Sequence, residues 1–378
     1  MPGKVLIIIC GVWTLLALLA GCSSVEPIGL ESPGTGQENN RSNVEDGDKE
    51  GEEAVVENEN VTEKGPAAEE EGPTRDAAYW PFSIESPWNM PLGDEAELVE
   101  IDSPGFDPSK GAGINCAKWS HPIFIATEND PKRIITQKDN PGNKVTIRIP
   151  QEAMPDGESD GHMHIIDETH TYVVETWVCK QQEEGNYIAN ALVVNQLKDD
   201  GVYKGWHGTR AYGGSAIAGL IRKGELINGI PHALALATNG PAMNMNAPDG
   251  KHWVWPASSC DGDYKTSYGT EGNLFMGSLL AIPLDVNLDD IKVNGKPLSL
   301  QAYNVAYALQ HYGGYIVDRA DANLVFYAEP AAQDALPPDF WKELSEITKY
   351  LKLVNNNTPQ TVGGPGERVE KLAPPFQK

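Results

Sequence analysis

The chain has few basic residues, few cysteines and only one long apolar run. Among 378 residues, 29 are Lys or Arg and 54 are Asp or Glu, so the formal net charge is -25 at pH 7. Nucleic acids and anionic lipid surfaces bind basic patches, and this acidic balance argues against both as direct partners. No long apolar run follows the one that ends at Ala20, so the sequence predicts no membrane span beyond the N-terminus.

Cysteine is scarce, and its spacing excludes the common metal motifs. Cys10 and Cys22 lie at the N-terminus, which leaves Cys116, Cys179 and Cys260 in the rest of the chain. No Cys-x-x-Cys spacing occurs, so neither a zinc knuckle nor a redox motif is expected. In an exported protein, three cysteines predict one disulfide and one free thiol. The sequence does not indicate which two would pair.

The N-terminus has the pattern of an export signal. Lys4 precedes an apolar stretch that reaches Ala20, and Leu19-Ala20-Gly21-Cys22 follows. These residues resemble the lipobox of bacterial lipoproteins, in which the signal is cut before a cysteine that then carries a diacylglycerol. The resemblance implies a signal peptide over residues 1–21 and a lipid anchor on Cys22. An ordinary signal peptide with a chance cysteine, or an uncleaved helix, would give a similar pattern.

The segment after Cys22 differs in composition from the rest. Between Ser23 and Asp76 there are 16 acidic residues, four basic residues and no aromatic residue. Such a segment cannot bury enough apolar surface to offset the entropy of ordering, so we expect an acidic disordered tether over residues 22–76. Residues 77–378 are then an exported globular domain. Together with the lipid on Cys22, this organisation predicts anchoring to the outer face of the cell membrane, or to an outer membrane where the host has one.

The globular part has the pattern of a mainly β protein. Short runs with period-two alternation, such as Lys144–Pro150, are separated by turn residues at regular intervals. We expect a β-sandwich or jelly-roll-like body with a few short helices. Helices are predicted over Ser299–Tyr312 and from Phe340 to Leu351, and a short one within Ser215–Asn228. Tyr315–Arg319 and the strand from Leu324 are predicted to form a hairpin across Asp321–Asn323.

Several short motifs occur along residues 77–378. They are Pro87-Trp88-Asn89, Asp160-Gly-His162, Gly208-Thr-Arg-Ala211, Gly219-Leu-Ile-Arg222, His232-Ala-Leu, Ala308-Leu-Gln-His-Tyr-Gly313 and Leu372-Ala-Pro-Pro-Phe376. In this order they resemble a family of exported bacterial proteins known mainly from actinobacteria. The resemblance covers nearly all of residues 77–378 and implies an exported location but no particular activity.

The densest group of chemically useful residues lies between residues 156 and 237, where five of the eight histidines occur. Asp160, His162 and His164 share one strand parity and therefore one face. A histidine on that face can act as a general base oriented by Asp160. The His-x-His pair also allows a divalent metal, although the sequence requires no cofactor. A solvent-facing polar strand is the alternative.

A second set of candidates follows along the chain. Glu175 and Trp177 share a face of the next strand, where an acid beside an indole suits a sugar ring. Arg210 could bind a carboxylate such as that of a uronic acid. The Trp177 position could equally be core, and the histidine at His232 could be structural. The remaining candidates for sugar contacts are aromatic and histidine side chains, namely His207, Tyr212 and Trp253.

These patterns favour a surface-anchored enzyme that hydrolyses or eliminates polysaccharide bonds. The catalytic candidates are Asp160, His162, Glu175, Arg210 and His232, with acid/base work assigned to His162 and Glu175. The alternative is a non-catalytic lipoprotein that binds glycan or cell-wall polymer. The two hypotheses differ in whether the five catalytic candidates line a single cleft.

Overall fold

The computed structural model describes residues 72–203 and 208–377. The predicted signal peptide, Cys22 and nearly all of the predicted tether lie outside the described residues, as does His207. Arg75 and Asp76, which the sequence assigns to the tether, belong to the folded body. Arg75 is 5% exposed, and Asp76 accepts a hydrogen bond from His170 Nδ1 at 2.8 Å.

The described residues are mainly β, as the sequence predicts, with few and short helices. The strands are β1 (Leu98–Val99), β2 (Ala112–Asn115), β3 (Ile123–Ile125), β4 (Lys132–Gln137), β5 (Asn140–Arg148), β6 (Met163–Ile166), β7 (Tyr172–Trp177), β8 (Lys180–Gln181), β9 (Tyr187–Ala189), β10 (Ala191–Gln196), β11 (Leu234–Thr238), β12 (Leu279–Ala281), β13 (Lys292–Val293), β14 (Lys296–Pro297), β15 (Gly314–Arg319), β16 (Leu324–Tyr327) and β17 (Lys352–Val354).

The α-helices are α1 (Glu225–Asn228), α2 (Tyr264–Ser267), α3 (Leu300–His311) and α4 (Phe340–Thr348). The last two confirm the predicted helices. Ser299 caps α3 by accepting a hydrogen bond from Ala302 N, which satisfies one of the free amides of the first turn. The helix predicted within Ser215–Asn228 is confined to its last four residues, because glycines at 219 and 224 with positive φ interrupt the segment.

The strands form three main sheets that enclose two apolar cores. The largest sheet has the order β1-β17-β12-β15-β11-β16-β2, and its strands contribute to the main core together with α3, α4 and several loops. A four-stranded sheet, β10-β7-β6-β3, and another, β5-β4-β9-β8, supply the side chains of the second core. A two-stranded ribbon of β13 and β14 lies apart from these.

The sheet β10-β7-β6-β3 has a different neighbour on each face. Met163 and Ile165 of β6 point into the second core, whereas Ile166 belongs to the main core. Because side chains alternate along a strand, His162 and His164 face the same way as Ile166, toward the large sheet. The predicted alternation of side chains therefore places His162 and His164 between the sheet β10-β7-β6-β3 and the large sheet.

The hairpin predicted from Tyr315 to Ala328 is wrong. β15 and β16 are not neighbours, because β11 lies between them and pairs with both, in parallel with β15 and antiparallel with β16. Asp321–Asn323 do form a bend after β15, as predicted. However, β11, which lies about 80 residues earlier in the chain, is hydrogen-bonded between β15 and β16. Local sequence cannot reveal such an insertion, since it depends on long-range pairing.

The predicted disulfide is also absent. Cys116, Cys179 and Cys260 are all free in the part of the chain that the structure describes. Cys116 and Cys179 are buried in different cores, and Cys260 lies on a loop beside the cleft described below.

The two ends of the folded body are joined to one another. Arg75 N donates to Pro375 O at 2.9 Å, and Gln377 N donates to Arg75 O at 2.9 Å. The Arg75 guanidinium lies over the Phe376 ring, 3.9 Å from its centroid, and also donates to the carbonyl oxygens of Trp80 and Phe82. We call this arrangement the terminal clasp.

Within residues 72–203 and 208–377, every helix falls short of the length and apolar character that a membrane crossing requires.

Candidate functional site

A cleft of about 800 Å³ opens where the ends of β6 and β7 meet β15 and β16. Its walls combine ionisable and aromatic side chains. They include Asp160, His162, Trp177, Arg210, Asp318 and Tyr327. The pattern of a concave site with a few convergent polar groups is typical of ligand-binding and catalytic sites.

Three buried histidines form a cluster, and one of them, His162, lines this cleft. The ligand nitrogens of His121, His162 and His164 all fall within 4.8 Å of one another. His121 Nδ1 is 3.0 Å from His164 Nε2, and the rings of His121 and His162 lie 4.1 Å apart between centroids. Backbone pairing brings them together, because β3, which follows His121, runs parallel to β6 with Ile123 opposite His164.

The hydrogen bonds of these histidines fix their protons. Arg210 can only donate, and its Nε contacts His121 Nε2 at 2.9 Å, so that nitrogen carries a lone pair. His121 Nδ1 therefore holds the proton and donates it to His164 Nε2. His162 Nδ1 lies 3.1 Å from the Thr176 carbonyl oxygen and donates to it. The Nε2 atom of His162 is left with a lone pair on the wall of the cleft.

All three histidines are held neutral. Burial, with a further contribution from the Arg210 charge, lowers the pKa of His162 to about 3. Burial and the same guanidinium hold the pKa values of His121 and His164 well below their usual range. A neutral imidazole with a free lone pair is the form in which histidine acts as a base.

The three imidazoles could also be considered as metal ligands, since zinc and copper bind clustered histidines. The Arg210 contact opposes this use. Ligation through His121 Nδ1 would require the proton to move to Nε2, where it would face the Arg210 N–H. A second cation would then lie beside the guanidinium. The cluster, as it is hydrogen-bonded here, favours three neutral rings over a bound metal ion.

Asp318 is the acidic counterpart of this cluster. It lies in β15, and burial raises the pKa of its carboxyl to about 7, although Arg210 acts in the opposite direction. Asp261 and Asp160 also raise it through charge repulsion. An acid with such a pKa is protonated in mildly acidic solution, where it can give a proton to a leaving group.

Arg210 reaches the site from a tightly folded loop. A Cβ on Gly208 would lie 1.5 Å from the Gly214 carbonyl oxygen, so only glycine allows the loop to cross itself there. The Arg210 guanidinium lies over the Tyr327 ring, 4.0 Å from its centroid. Sheet and loop together hold the guanidinium in place.

The cleft unites some of the sequence candidates. Asp160, His162 and Arg210 line it, and Trp177 lines it with its Nε1 donating to Asp160 Oδ1 at 3.4 Å. The other candidates among the described residues lie elsewhere. These are Glu175, Tyr212, His232 and Trp253.

The contacts of Glu175 stabilise the fold and lie outside the cleft. It is fully buried, and its carboxylate accepts hydrogen bonds from Ser215 Oγ and, at 2.8 Å, from Ala216 N. Burial raises the pKa of this carboxyl, and these hydrogen bonds act in the opposite direction. The side chain thus ties β7 to the turn at Ser215, and it does not line the cleft.

His232, Tyr212 and Trp253 are also engaged outside the cleft. His232 Nε2 contacts Glu225 Oε2 at 3.1 Å, and its Nδ1 contacts the Ala233 carbonyl oxygen. The Tyr212 hydroxyl donates to the Ser215 carbonyl oxygen at 2.7 Å. Trp253 packs against the main core.

The sequence analysis missed His121, Asp318 and Tyr327. The available signal was a polar residue in or beside an apolar strand. His121 immediately precedes Pro122 and β3, and Asp318 ends the run Tyr315-Ile-Val. A carboxylate or imidazole placed there must be paired, neutralised or used.

Comparisons with known proteins add no relative. The chain matches no protein-family model. No curated protein and no solved structure matches it either.

Proposed function

We propose that this protein cleaves a polysaccharide by acid/base catalysis in the cleft. The observation that carries the proposal is that an unprotonated histidine and a protonated carboxyl group line the same cleft. His162 has a pKa of about 3 and a free Nε2, whereas Asp318 has a pKa of about 7. Between these two values, His162 is unprotonated while Asp318 keeps its proton, so the cleft holds a proton acceptor and a proton donor together.

The residues have distinct roles in the proposed reaction. His162 Nε2 takes a proton, from water in hydrolysis or from the carbon next to a carboxyl group in elimination. The Asp318 proton passes to the leaving glycosidic oxygen as its C–O bond breaks. Water bonds to the anomeric carbon in the first case, and a C=C bond forms in the second. Trp177 and the half-exposed Trp119 offer faces on which sugar rings stack.

The test is incubation with plant, algal and cell-wall glycans. Hydrolysis releases reducing ends, and elimination also gives unsaturated products that absorb in the ultraviolet. His162→Gln and Asp318→Asn should each reduce kcat/KM by about 10²- to 10⁴-fold. His311→Gln is the matched control, because His311 stacks on Tyr307 in α3, outside the cleft. Absence of turnover on a wide panel would refute catalysis.

A non-catalytic glycan-binding lipoprotein is the second candidate. The contact between Trp177 and Asp160 supports it, because an indole beside a carboxylate can hold a sugar without breaking it. This function predicts retention by a polysaccharide without product. It also predicts loss of retention in Trp177→Ala with the fold intact, whereas Trp253→Ala should have little effect because Trp253 lies outside the cleft.

The cellular location is proposed from the sequence. The Leu19-Ala-Gly-Cys22 pattern supports lipidation of Cys22, and the acidic segment behind it would hold the body away from the bilayer. Cys22→Ala should abolish labelling by a clickable fatty acid. Membrane attachment that survives this substitution would refute the lipid anchor.

A further inference from the structure

Arg210 is buried with most of its hydrogen-bonding capacity unused. The residue is 2% exposed, and within the described part of the chain only its Nε has a hydrogen-bond partner, His121 Nε2. Nη1 and Nη2 are buried and contact no acceptor among the described residues, and Arg210 is part of the cleft lining. Four of the five guanidinium N–H groups are therefore free.

The acids around Arg210 do not neutralise it. No ion pair of the described residues includes Arg210. Glu175 is bound to the Ser215 turn, and the Asp318 carboxylate accepts from Arg319 N at 2.9 Å. A buried cation without an anionic partner is costly even when it stacks on an aromatic ring, so this arrangement is suited to an anion that arrives with a ligand.

Thr209, which precedes Arg210, adds a second unsatisfied group to the lining of the cleft. Its Oγ1 is buried without a hydrogen-bond partner in the described part of the chain, and Thr209 also lines the cleft. A hydroxyl beside a guanidinium fork supplies donors to both oxygens of a planar anion. Arg319 differs, because it is paired with Asp261 and Asp263 across the same cleft.

We infer that the cleft selects glycans whose sugars carry a carboxylate, with Arg210 and Thr209 binding that carboxylate. The inference rests on the proposed function in that it takes a glycan as the occupant. A carboxylate matches the planar fork of arginine bidentately. Asp160 and Asp261 line the same walls, and their repulsion disfavours anions of higher charge such as a phosphate ester more strongly than a carboxylate. Uronic acids meet both conditions.

The experiment compares acid and ester forms of the same sugar. Tetramers of galacturonate, glucuronate, mannuronate and guluronate, their methyl esters and a neutral cello-oligosaccharide are titrated into the wild-type protein by calorimetry, and products are assayed in parallel. At least one free acid should bind at least tenfold more tightly than its ester. Arg210→Gln should remove that preference, whereas the matched variant Arg319→Gln should keep it.

The outcomes separate this inference from the proposed function. Equal affinity for acid and ester overturns the carboxylate site even where cleavage occurs. Arg210-dependent binding of a uronate without product supports the site and refutes catalysis. If Arg210→Gln fails to fold, the test is the ratio of the affinity for the acid to the affinity for its ester, measured in the wild type and in Thr209→Val. Thr209→Val should reduce that ratio, and an unchanged ratio would overturn the inference.

Discussion

At the scale of single residues, the site depends on burial acting in opposite directions on two side chains. Burial disfavours the charged form of any group, so it lowers the pKa of His162 and raises that of Asp318. Arg210 strengthens the first shift and limits the second. The sequence predicted His162 as a base, but it assigned the acid to Glu175 because burial of Asp318 depends on strands distant in the chain.

The pH dependence of activity follows from these two values. We expect kcat/KM to fall above about pH 7, because Asp318 then loses the proton that it must donate. The lower limit should lie near pH 3, where His162 becomes protonated. A pH–rate profile measures both limits. Activity that rises steadily from pH 6 to pH 9 would contradict the role of Asp318.

Stability should also depend on pH through His162. Its pKa is lowered on folding, so its contribution is fully present above the unfolded value of about 6.5 and is lost as pH falls toward 3. Each pH unit in that window changes the free energy of unfolding by up to about 1.4 kcal/mol per histidine. Urea denaturation measures the fall in the free energy of unfolding between pH 7 and pH 5. This fall should be about 2 kcal/mol smaller in His162→Gln than in the wild type, because the variant lacks the titrating group. An unchanged loss would mean that His162 takes up protons in the folded state.

At the scale of elements, the sequence predicted which side chains share a face of a strand, but it did not predict which strands pair with one another. The parity of His162 and His164 followed from their spacing, and it correctly placed both on one face of β6. The position of β3 beside β6, which adds His121, depends on a parallel pairing between segments about 40 residues apart. The same limit explains why β11 between β15 and β16 escaped local analysis.

Glu175 should support the fold rather than the reaction. In Glu175→Gln, an amide nitrogen replaces a carboxylate oxygen that accepts from Ser215 Oγ or Ala216 N. Loss of such a buried acceptor costs about 1–3 kcal/mol in the free energy of unfolding. We expect this loss in urea denaturation, with kcat of the folded protein within about twofold of the wild type. The exposed Glu271→Gln serves as control, and a much larger drop in kcat would return Glu175 to the catalytic residues.

At the scale of the whole molecule, the terminal clasp defines where the folded body begins. Arg75 satisfies carbonyl groups of the Trp80–Phe82 segment and pairs with the C-terminal segment around Phe376. Composition alone placed Arg75 in the acidic tether, because the clasp joins residues about 300 positions apart. Its contacts are invisible to any local pattern.

Loss of the clasp should weaken the body without unfolding it. Arg75→Ala removes a buried cation that donates to several carbonyl groups, each of which is left without its donor. We expect the free energy of unfolding to fall by about 2–4 kcal/mol. Thermal and urea denaturation measure the loss, and Lys371→Ala at an exposed position is the control. A change below about 0.5 kcal/mol would show that the clasp contributes little.

The clasp also gives the chain a nearly circular course. Arg75 and Phe376 are neighbours in space, so a short linker between them would close the backbone into a ring without disturbing a strand. New ends could then be opened at an exposed turn such as the one around Gly295, and the permuted order of segments should still reach the same fold. In the natural order, an anchor before the body and any segment joined after it would leave from the same point on its surface.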